Sequence, residues 1–81
     1  MIYNAMVKIM PLKELLDPQG KAVMGGLNSL GINAVNDVRV GKHIDLQIEA
    51  SSKAEAHKIA TEAAIKLLAN QVMETFEVSI N

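Results

Sequence analysis

The sequence has no cysteine and no tryptophan, and its only aromatic residues are Tyr3 and Phe76. Without cysteine, a disulfide framework, a thiolate metal site, an iron–sulfur cluster and a cysteine nucleophile are excluded. Two distant rings are too few for the platform on which small nucleic-acid-binding domains stack bases. The net charge of −1 gives no electrostatic attraction to nucleic acid or to an anionic membrane.

Long apolar runs are also missing. No stretch approaches the roughly 18 residues of a membrane span, and no basic segment precedes an apolar one as in a signal peptide. Because the chain also lacks the disulfides that usually stabilise small secreted proteins, we expect it in the reducing cytoplasm. What is present is a globular composition, with 49% hydrophobic and 21% charged residues among 81. We expect a single domain over 1–81. A domain this small is marginally stable alone, which favours burial of further surface against a partner.

Hydrophobic periodicity predicts six elements. Strands are predicted at 2–10, 35–40, 43–50 and 72–80, and helices at 18–30 and 53–69. Asp17 is the predicted N-cap of the first helix, Pro18 its first residue and Gly31 its left-handed end. A Ser52-x-x-Glu55 capping box starts the second helix.

Each predicted helix has an apolar stripe that we expect to face the core. The stripe of the first helix is Val23, Leu27 and Leu30, and its Gly25-Gly26 pair indicates close packing against a backbone. The stripe of the second helix is Ala56, Ile59, Ala60, Ala63 and Leu67. A tight hairpin is predicted at Gly41-Lys42.

The order strand–helix–strand–strand–helix–strand predicts an α+β, ferredoxin-like fold. It has a four-stranded antiparallel sheet with two helices on one face. The second and fourth strands are the predicted edges, where copies of the chain could pair. The helix-free face carries Met6 and Met10 among polar residues, which favours a subunit contact there.

Residues that could carry chemistry are few. His43 and His57 lack partners at metal-ligand spacing, no serine lies in a nucleophile elbow, and the glycines do not form a phosphate loop. We therefore assign no catalytic, cofactor-binding or metal-binding residue. The remaining candidates are contact residues: Met6 and Met10 on the sheet face, and Asp37, Arg39, Gly41 and Lys42 at the hairpin. A solvated hairpin and a partner contact fit the hairpin residues equally well.

Three segments together carry a resemblance to a known family. They are Leu16-Asp17-Pro18-Gln19-Gly20-Lys21-Ala22-Val23, Asp37-Val38-Arg39-Val40-Gly41-Lys42 and Lys66-Leu67-Leu68-Ala69-Asn70. In this order, and with these elements, the chain resembles the PurS subunits of phosphoribosylformylglycinamidine synthase along its full length.

The resemblance implies a non-catalytic subunit of an ATP-dependent C–N ligase of de novo purine biosynthesis. That complex uses ATP, magnesium and glutamine to convert formylglycinamide ribonucleotide to formylglycinamidine ribonucleotide. The PurS subunit itself is expected to bind no cofactor, to form homodimers or higher homo-oligomers, and to bridge the large synthetase subunit and the glutaminase subunit. A role in ammonia transfer is also implied.

Other functions are compatible with the same element order. An amino-acid-binding regulatory domain is the alternative that the sequence leaves open, and it would need a ligand pocket at a dimer interface. An acylphosphatase-type enzyme needs an arginine in the loop after the first strand, whereas the sole arginine here is Arg39.

Overall fold

The computed structural model describes residues 1–81 and contains three strands and two helices. They are β1 (Ile2–Pro11), α1 (Pro18–Ser29), β2 (Lys42–Glu49), α2 (Lys53–Ala63), which is continued by a π-helical turn (Ala64–Leu68), and β3 (Glu74–Ile80). The strands form one antiparallel sheet in the order β2-β1-β3. The α+β class is therefore confirmed.

The core lies between β1 and α2. Alternation along the central strand buries Ala5, Val7 and Ile9 completely, and the facing side of α2 buries Ala56 and Ala60 completely. Alanine side chains let the helix lie close to the sheet, and α2 packs across all three strands. Only ten of the 81 residues are buried, so this core is small even for a chain of this length.

The start of α2 follows its predicted cap, with one difference. Ser52 Oγ accepts a hydrogen bond from Glu55 N at 3.1 Å, as a capping box requires. The Glu55 carboxylate accepts from Ser51 instead, from its N at 3.4 Å and from its Oγ at 2.9 Å. The reciprocal bond therefore falls one residue earlier than the motif predicts.

The predicted core stripe of α2 is correct at its start and wrong at its end. The π-helical turn adds one residue to the last turn, and Ala69 N donates to Ala64 O at 2.9 Å. Ala64 continues the buried row of Ala56 and Ala60, and the added residue rotates the helix end after it, so that Ala69 is buried while Leu67 is 82% exposed. Ile59, at the flank of the stripe, is 39% exposed.

The predicted second strand and its hairpin are wrong for this chain. Residues 32–41 form no strand, helix or turn beyond the end of α1, and no backbone hydrogen bond joins residues 35–40 to β2. The sheet has three strands rather than four, and its edges are β2 and β3. The physical reason is that the chain does not reverse at Gly41-Lys42 but runs directly into β2.

The first helix does not cover the sheet. Its caps are as predicted: Asp17 accepts from Gly20 N at 3.0 Å, and Gly31 has φ +81°. Its apolar stripe, however, does not face a core, because Val23 is 45% and Leu30 is 76% exposed. The Gly25-Gly26 pair likewise has no neighbour within 4 Å of where a Cβ would lie.

This helix projects from one end of the sheet. The molecule measures 51 × 24 × 14 Å, and its radius of gyration of 16.1 Å exceeds the roughly 12 Å of a compact 81-residue domain. A ten-residue strand of about 33 Å and a twelve-residue helix of about 18 Å, placed end to end, account for the long dimension. We call residues 17–41, which comprise α1 and the segment returning from it, the arm.

No helix combines the length and apolar character that crossing a lipid bilayer requires.

Candidate protein-interaction surface

The two ends of the arm are joined by the side chain of Asp17. One carboxylate oxygen accepts from Gly20 N at 3.0 Å, and the other accepts from Val40 N at 2.9 Å. The first bond caps α1, and the second ties its start to the returning segment, 23 residues later in the chain. These bonds, Val40 first, hold the pKa of Asp17 below its usual range. The sequence motif predicted the cap but not the second bond.

Two glycines allow the backbones to meet at this point. A Cβ on Gly20 would lie 2.6 Å from the Asp17 carboxylate and well inside van der Waals contact with the Val38 carbonyl oxygen. A Cβ on Gly41 would overlap the Ile9 carbonyl oxygen and the Met10 sulfur. Any side chain larger than hydrogen therefore pushes the returning segment away from α1 or from β1.

Arg39 adds a third bond at the same end of β1. Its guanidinium donates to the Pro11 carbonyl oxygen, and the residue is half-buried. We call this set of three hydrogen bonds, made by Asp17 and Arg39 to Gly20, Val40 and Pro11, the clasp. It fixes where the arm leaves the sheet and where the chain returns to it.

The structure brings most of the predicted contact residues together at the clasp. Arg39 and Gly41 lie beside Met10, and Lys42 follows, with its Nζ 3.6 Å from a Glu74 carboxylate oxygen. Asp37 is exposed on the arm. These residues lie on the segment that leads into β2, because the hairpin that was expected to display them is absent.

Met6 lies apart from the clasp, at the middle of the helix-free sheet face. It is half-buried and stands opposite Asp45 of β2. A surface cavity of about 500 Å³ opens at this position, and its lining is largely polar. The lining residues are Asn4, Met6, Asp45, Leu46, Gln47 and Asn81.

A second cavity on the helix-free face, of about 380 Å³, adjoins the clasp and includes Met10 and Arg39. Its charged lining is of mixed sign, with three cations and two carboxylates. The charged residues are Lys8, Lys13, Arg39, Glu14 and Glu77. Mixed charge of this kind suits a polar protein surface better than a small anion.

The surface that the sequence reasoning missed is apolar. Twelve large hydrophobic residues are more than one-third exposed. Leu16 directly precedes the arm and is 75% exposed, and Val23, Leu30 and Ile32 within the arm are 45%, 76% and 46% exposed. An apolar surface of this extent is typical of a protein-interaction site. The signal in the sequence was the hydrophobic content of 49%, which is more than a chain of 81 residues can bury in one small core.

Other polar groups form small surface pairs. His43 Nε2 lies 2.7 Å from Asp45 Oδ1 on the exposed face of β2, and His57 lies near Thr61 on α2. The Lys66 ammonium lies 2.8 Å from Glu62, where it lowers the pKa of that carboxyl, while Glu62 raises the pKa of Lys66. No group of three or more His, Asp or Glu side chains comes together in the way that a metal site requires.

Comparison with known proteins finds one family that matches nearly the whole chain. The family model that matches residues 4–81 is PurS, described as phosphoribosylformylglycinamidine (FGAM) synthase. The PurS subunit of Bacillus subtilis FGAM synthase is 38% identical over 79 residues, covering 98% of this chain and 93% of that protein. The PurS subunit of Methanocaldococcus jannaschii is 34% identical over 79 residues, covering 98% and 95%.

Solved structures resemble the chain just as completely. The crystal structure of M. jannaschii PurS superposes with a TM-score of 0.87 at 34% identity, over 98% of this chain and 95% of that one. A chain in the structure of PurLQS from Thermotoga maritima superposes with a TM-score of 0.91 at 28% identity, over 100% and 99%. The likeness extends over the arm as well as the sheet.

Proposed function

The chain belongs to the PurS family of FGAM synthase subunits, and from that premise we propose that it is a non-catalytic assembly subunit that bridges the synthetase and glutaminase subunits. The observation that carries this proposal is the full-length likeness to a chain of the T. maritima PurLQS structure, which includes the projecting arm. The small core and the exposed apolar residues of the arm support it, because both favour a chain that is completed by partners.

Both chemical steps of the complex are carried out by the other subunits. The glutaminase subunit releases ammonia from glutamine, and the synthetase subunit uses ATP and magnesium to activate the formylglycinamide amide oxygen. This chain holds the two together in the cytoplasm and aids ammonia transfer between them. It binds no cofactor in this arrangement.

The contact surface that we propose for these subunits is the helix-free side of the sheet near the clasp. Met6 and Met10 supply adaptable apolar contacts there, and Arg39, Gly41 and Lys42 supply charge on a backbone of fixed shape. Asp37 extends this surface onto the arm. Because Arg39 already donates to Pro11, its substitution also loosens the clasp, whereas Lys42 can be changed with less effect on the fold.

We also propose that the chain forms a homo-oligomer. Its accessible surface is 5720 Å², whereas a compact monomer of 8.7 kDa exposes about 4700 Å². The excess of about 1000 Å² is close to the roughly 800 Å² that each partner buries in a stable interface.

The test of the assembly role is glutamine-dependent formation of the amidine by purified synthetase and glutaminase subunits, with and without this chain. We expect activity only when the chain is added. Ammonium chloride as nitrogen donor provides the control, because ammonia-dependent synthesis bypasses the glutaminase. Equal glutamine-dependent activity without the chain would contradict the proposal.

The contact surface is tested by titrating the synthetase subunit with variants of the chain. Lys42→Ala is expected to weaken binding several-fold, and Lys53→Ala, an exposed lysine at the start of α2, is the matched control. If Lys42→Ala and Met6→Ala both bound like the unchanged protein, this face would not be the contact.

The relatives and solved structures named above are all PurS subunits, so they give the amino-acid-binding alternative no support.

A further inference from the structure

We propose that Glu74 is a positioning residue, which holds the ammonium group of Lys42 in place for contact with the synthetase subunit. This inference rests on the proposed function, which makes Lys42 a contact residue, and adds the residue that fixes its side chain. It also gives a role to residues 66–70, the one of the three family segments that lies outside the contact surface described above.

The first step is the turn that joins the π-helical turn to β3. The Asn70 carbonyl oxygen accepts from Met73 N at 3.0 Å and from Glu74 N at 2.7 Å. The Asn70 side chain accepts from Val72 N at 3.0 Å, as in an Asx turn. Met73 O accepts from Leu12 N at 2.9 Å, which ties the same turn to the chain that leaves β1. Together these bonds give the turn a fixed shape.

The second step is the carboxylate that closes this turn. Asn70 N donates to Glu74 Oε1 at 2.8 Å, so the backbone and the side chain of Glu74 both bond to Asn70. The Glu74 side chain is only 21% exposed, whereas the carboxylates of the other ion pairs are at least 56% exposed. A carboxylate held by a backbone N–H keeps its second oxygen in a fixed position.

The third step is the lysine that reaches this second oxygen. Lys42 begins β2 opposite Ile9, and Glu74 begins β3 opposite Pro11, so the two residues flank the end of β1. Two strand spacings, about 10 Å, separate β2 from β3, and the long lysine stem spans this gap. Lys42 Nζ lies 3.6 Å from Glu74 Oε2, and the Lys42 side chain stays 54% exposed. The ammonium is therefore held at one place while it keeps donors for a partner.

This restraint should act on binding more than on folding. An ion pair between exposed groups adds little to the free energy of unfolding. A free lysine side chain, however, loses rotamer entropy when a partner immobilises it, and that loss weakens binding. Because Asn70 already fixes the Glu74 carboxylate, Lys42 is restrained before the partner arrives. Removing the restraint should weaken binding about two- to tenfold.

Titration of the synthetase subunit with Glu74→Gln, Lys42→Met, the double variant and the unchanged chain tests this coupling. Glu74→Gln keeps an oxygen that can accept from Asn70 N but removes the charge, and Lys42→Met keeps the apolar stem but removes the ammonium. We expect Glu74→Gln to weaken binding about two- to tenfold, and the double variant to bind no more weakly than Lys42→Met. Glu62→Gln, which removes the ion pair with Lys66 on α2, is the matched control and should bind like the unchanged protein.

A second measurement tests the restraint on the isolated chain. Carbon relaxation at the lysine Cε atoms, recorded by NMR, should show Lys42 to be more ordered than Lys53, which is exposed at the start of α2. Glu74→Gln should remove this difference. Equal order of the two lysines in the unchanged protein would overturn the inference. A Glu74→Gln variant that loses binding only in step with its urea midpoint would also overturn it, because its role would then be structural alone.

The outcomes separate this inference from the proposed function. If Lys42→Met weakens binding but Glu74→Gln does not, the contact stands and Glu74 does not position it. If the two single effects add in the double variant, Glu74 acts independently of Lys42 and the inference is overturned. If Lys42→Met binds like the unchanged protein, the Lys42 contact and the role of Glu74 fail together. Coupled losses of binding, combined with equal glutamine-dependent activity without the chain, would support the role of Glu74 and count against the assembly role.

Discussion

Replacing Gly20 by alanine should destabilise the protein, although the same replacement in the middle of the same helix should stabilise it. Gly20 is buried at the third position of α1, and a Cβ there would lie 2.6 Å from the Asp17 carboxylate and overlap the Val38 carbonyl oxygen. The second of these is backbone and cannot rotate away. The returning segment must therefore shift, and the bond from Val40 N to Asp17 is strained or lost.

The size of the effect follows from two opposing contributions. Alanine favours a helix interior over glycine by about 1 kcal/mol, and by less near a helix start. Forcing a methyl group into occupied space costs about 1–3 kcal/mol. We expect a net loss of about 1–2 kcal/mol for Gly20→Ala. Gly25 has no neighbour within 4 Å of its missing Cβ, so Gly25→Ala should gain about 0.5–1 kcal/mol.

Urea unfolding followed by far-UV circular dichroism measures both variants, because the chain has no tryptophan for fluorescence. With a slope of about 1 kcal/mol per molar urea, the two midpoints should differ by about 2 M. All proteins must be compared at one concentration, since a homo-oligomer unfolds at a midpoint that depends on it. A Gly20→Ala midpoint equal to that of Gly25→Ala would refute the close approach at the clasp.

Three further perturbations have defined outcomes. Hydrogen bonds lower the folded-state pKa of Asp17, so its carboxylate stabilises the fold at pH values above the unfolded pKa of about 4. This stabilisation is lost as the pH falls through the folded-state pKa. Asp17→Asn should therefore flatten the acid part of a profile of unfolding free energy recorded from pH 2 to 7. Gly31→Ala should cost about 1–2 kcal/mol in urea unfolding because its φ is +81°, and Gly31→Asn should cost less. Ala60→Leu should lower the free energy of unfolding by about 1–3 kcal/mol, since Ala60 is fully buried. Lys58→Leu, on the exposed side of α2, should change it little. Equal effects of the two substitutions would argue against the observed burial of Ala60.

The elements whose signals are local could be predicted from the sequence. Asp17-Pro18 and Gly31 bound α1, Ser52 starts α2, and the alternation of 43–50 corresponds to β2. These signals depend on residues within one or two turns of each other. The family likeness was also evident in the sequence, because its three segments keep their order.

The misplaced parts depend on distant contacts. Residues 35–40 have the composition of a strand, but a strand needs an unpaired edge within reach, and the arm carries this segment away from β2. The stripe of α1 is amphipathic whether its partner is the same chain or another, so periodicity alone could not place it. The π-helical turn after α2 changed which residues beyond Ala64 are buried, and no local motif indicated it. The candidate residues near Gly41 therefore lie on the segment that leads into β2 instead of on a hairpin, and their role as contact residues stays a prediction.

The row of small side chains along α2 leaves the position of that helix along its own axis weakly determined. Ala56, Ala60 and Ala64 are all fully buried and recur every fourth residue, so sliding the helix by about 6 Å would replace each alanine by another. The ends of the helix must then select the correct alignment: the Ser52 cap at one end and the wider turn at Ala64–Leu68 at the other. A substitution that disrupts either end would displace the whole helix along the sheet, whereas an equally destabilising substitution in its middle would act only locally.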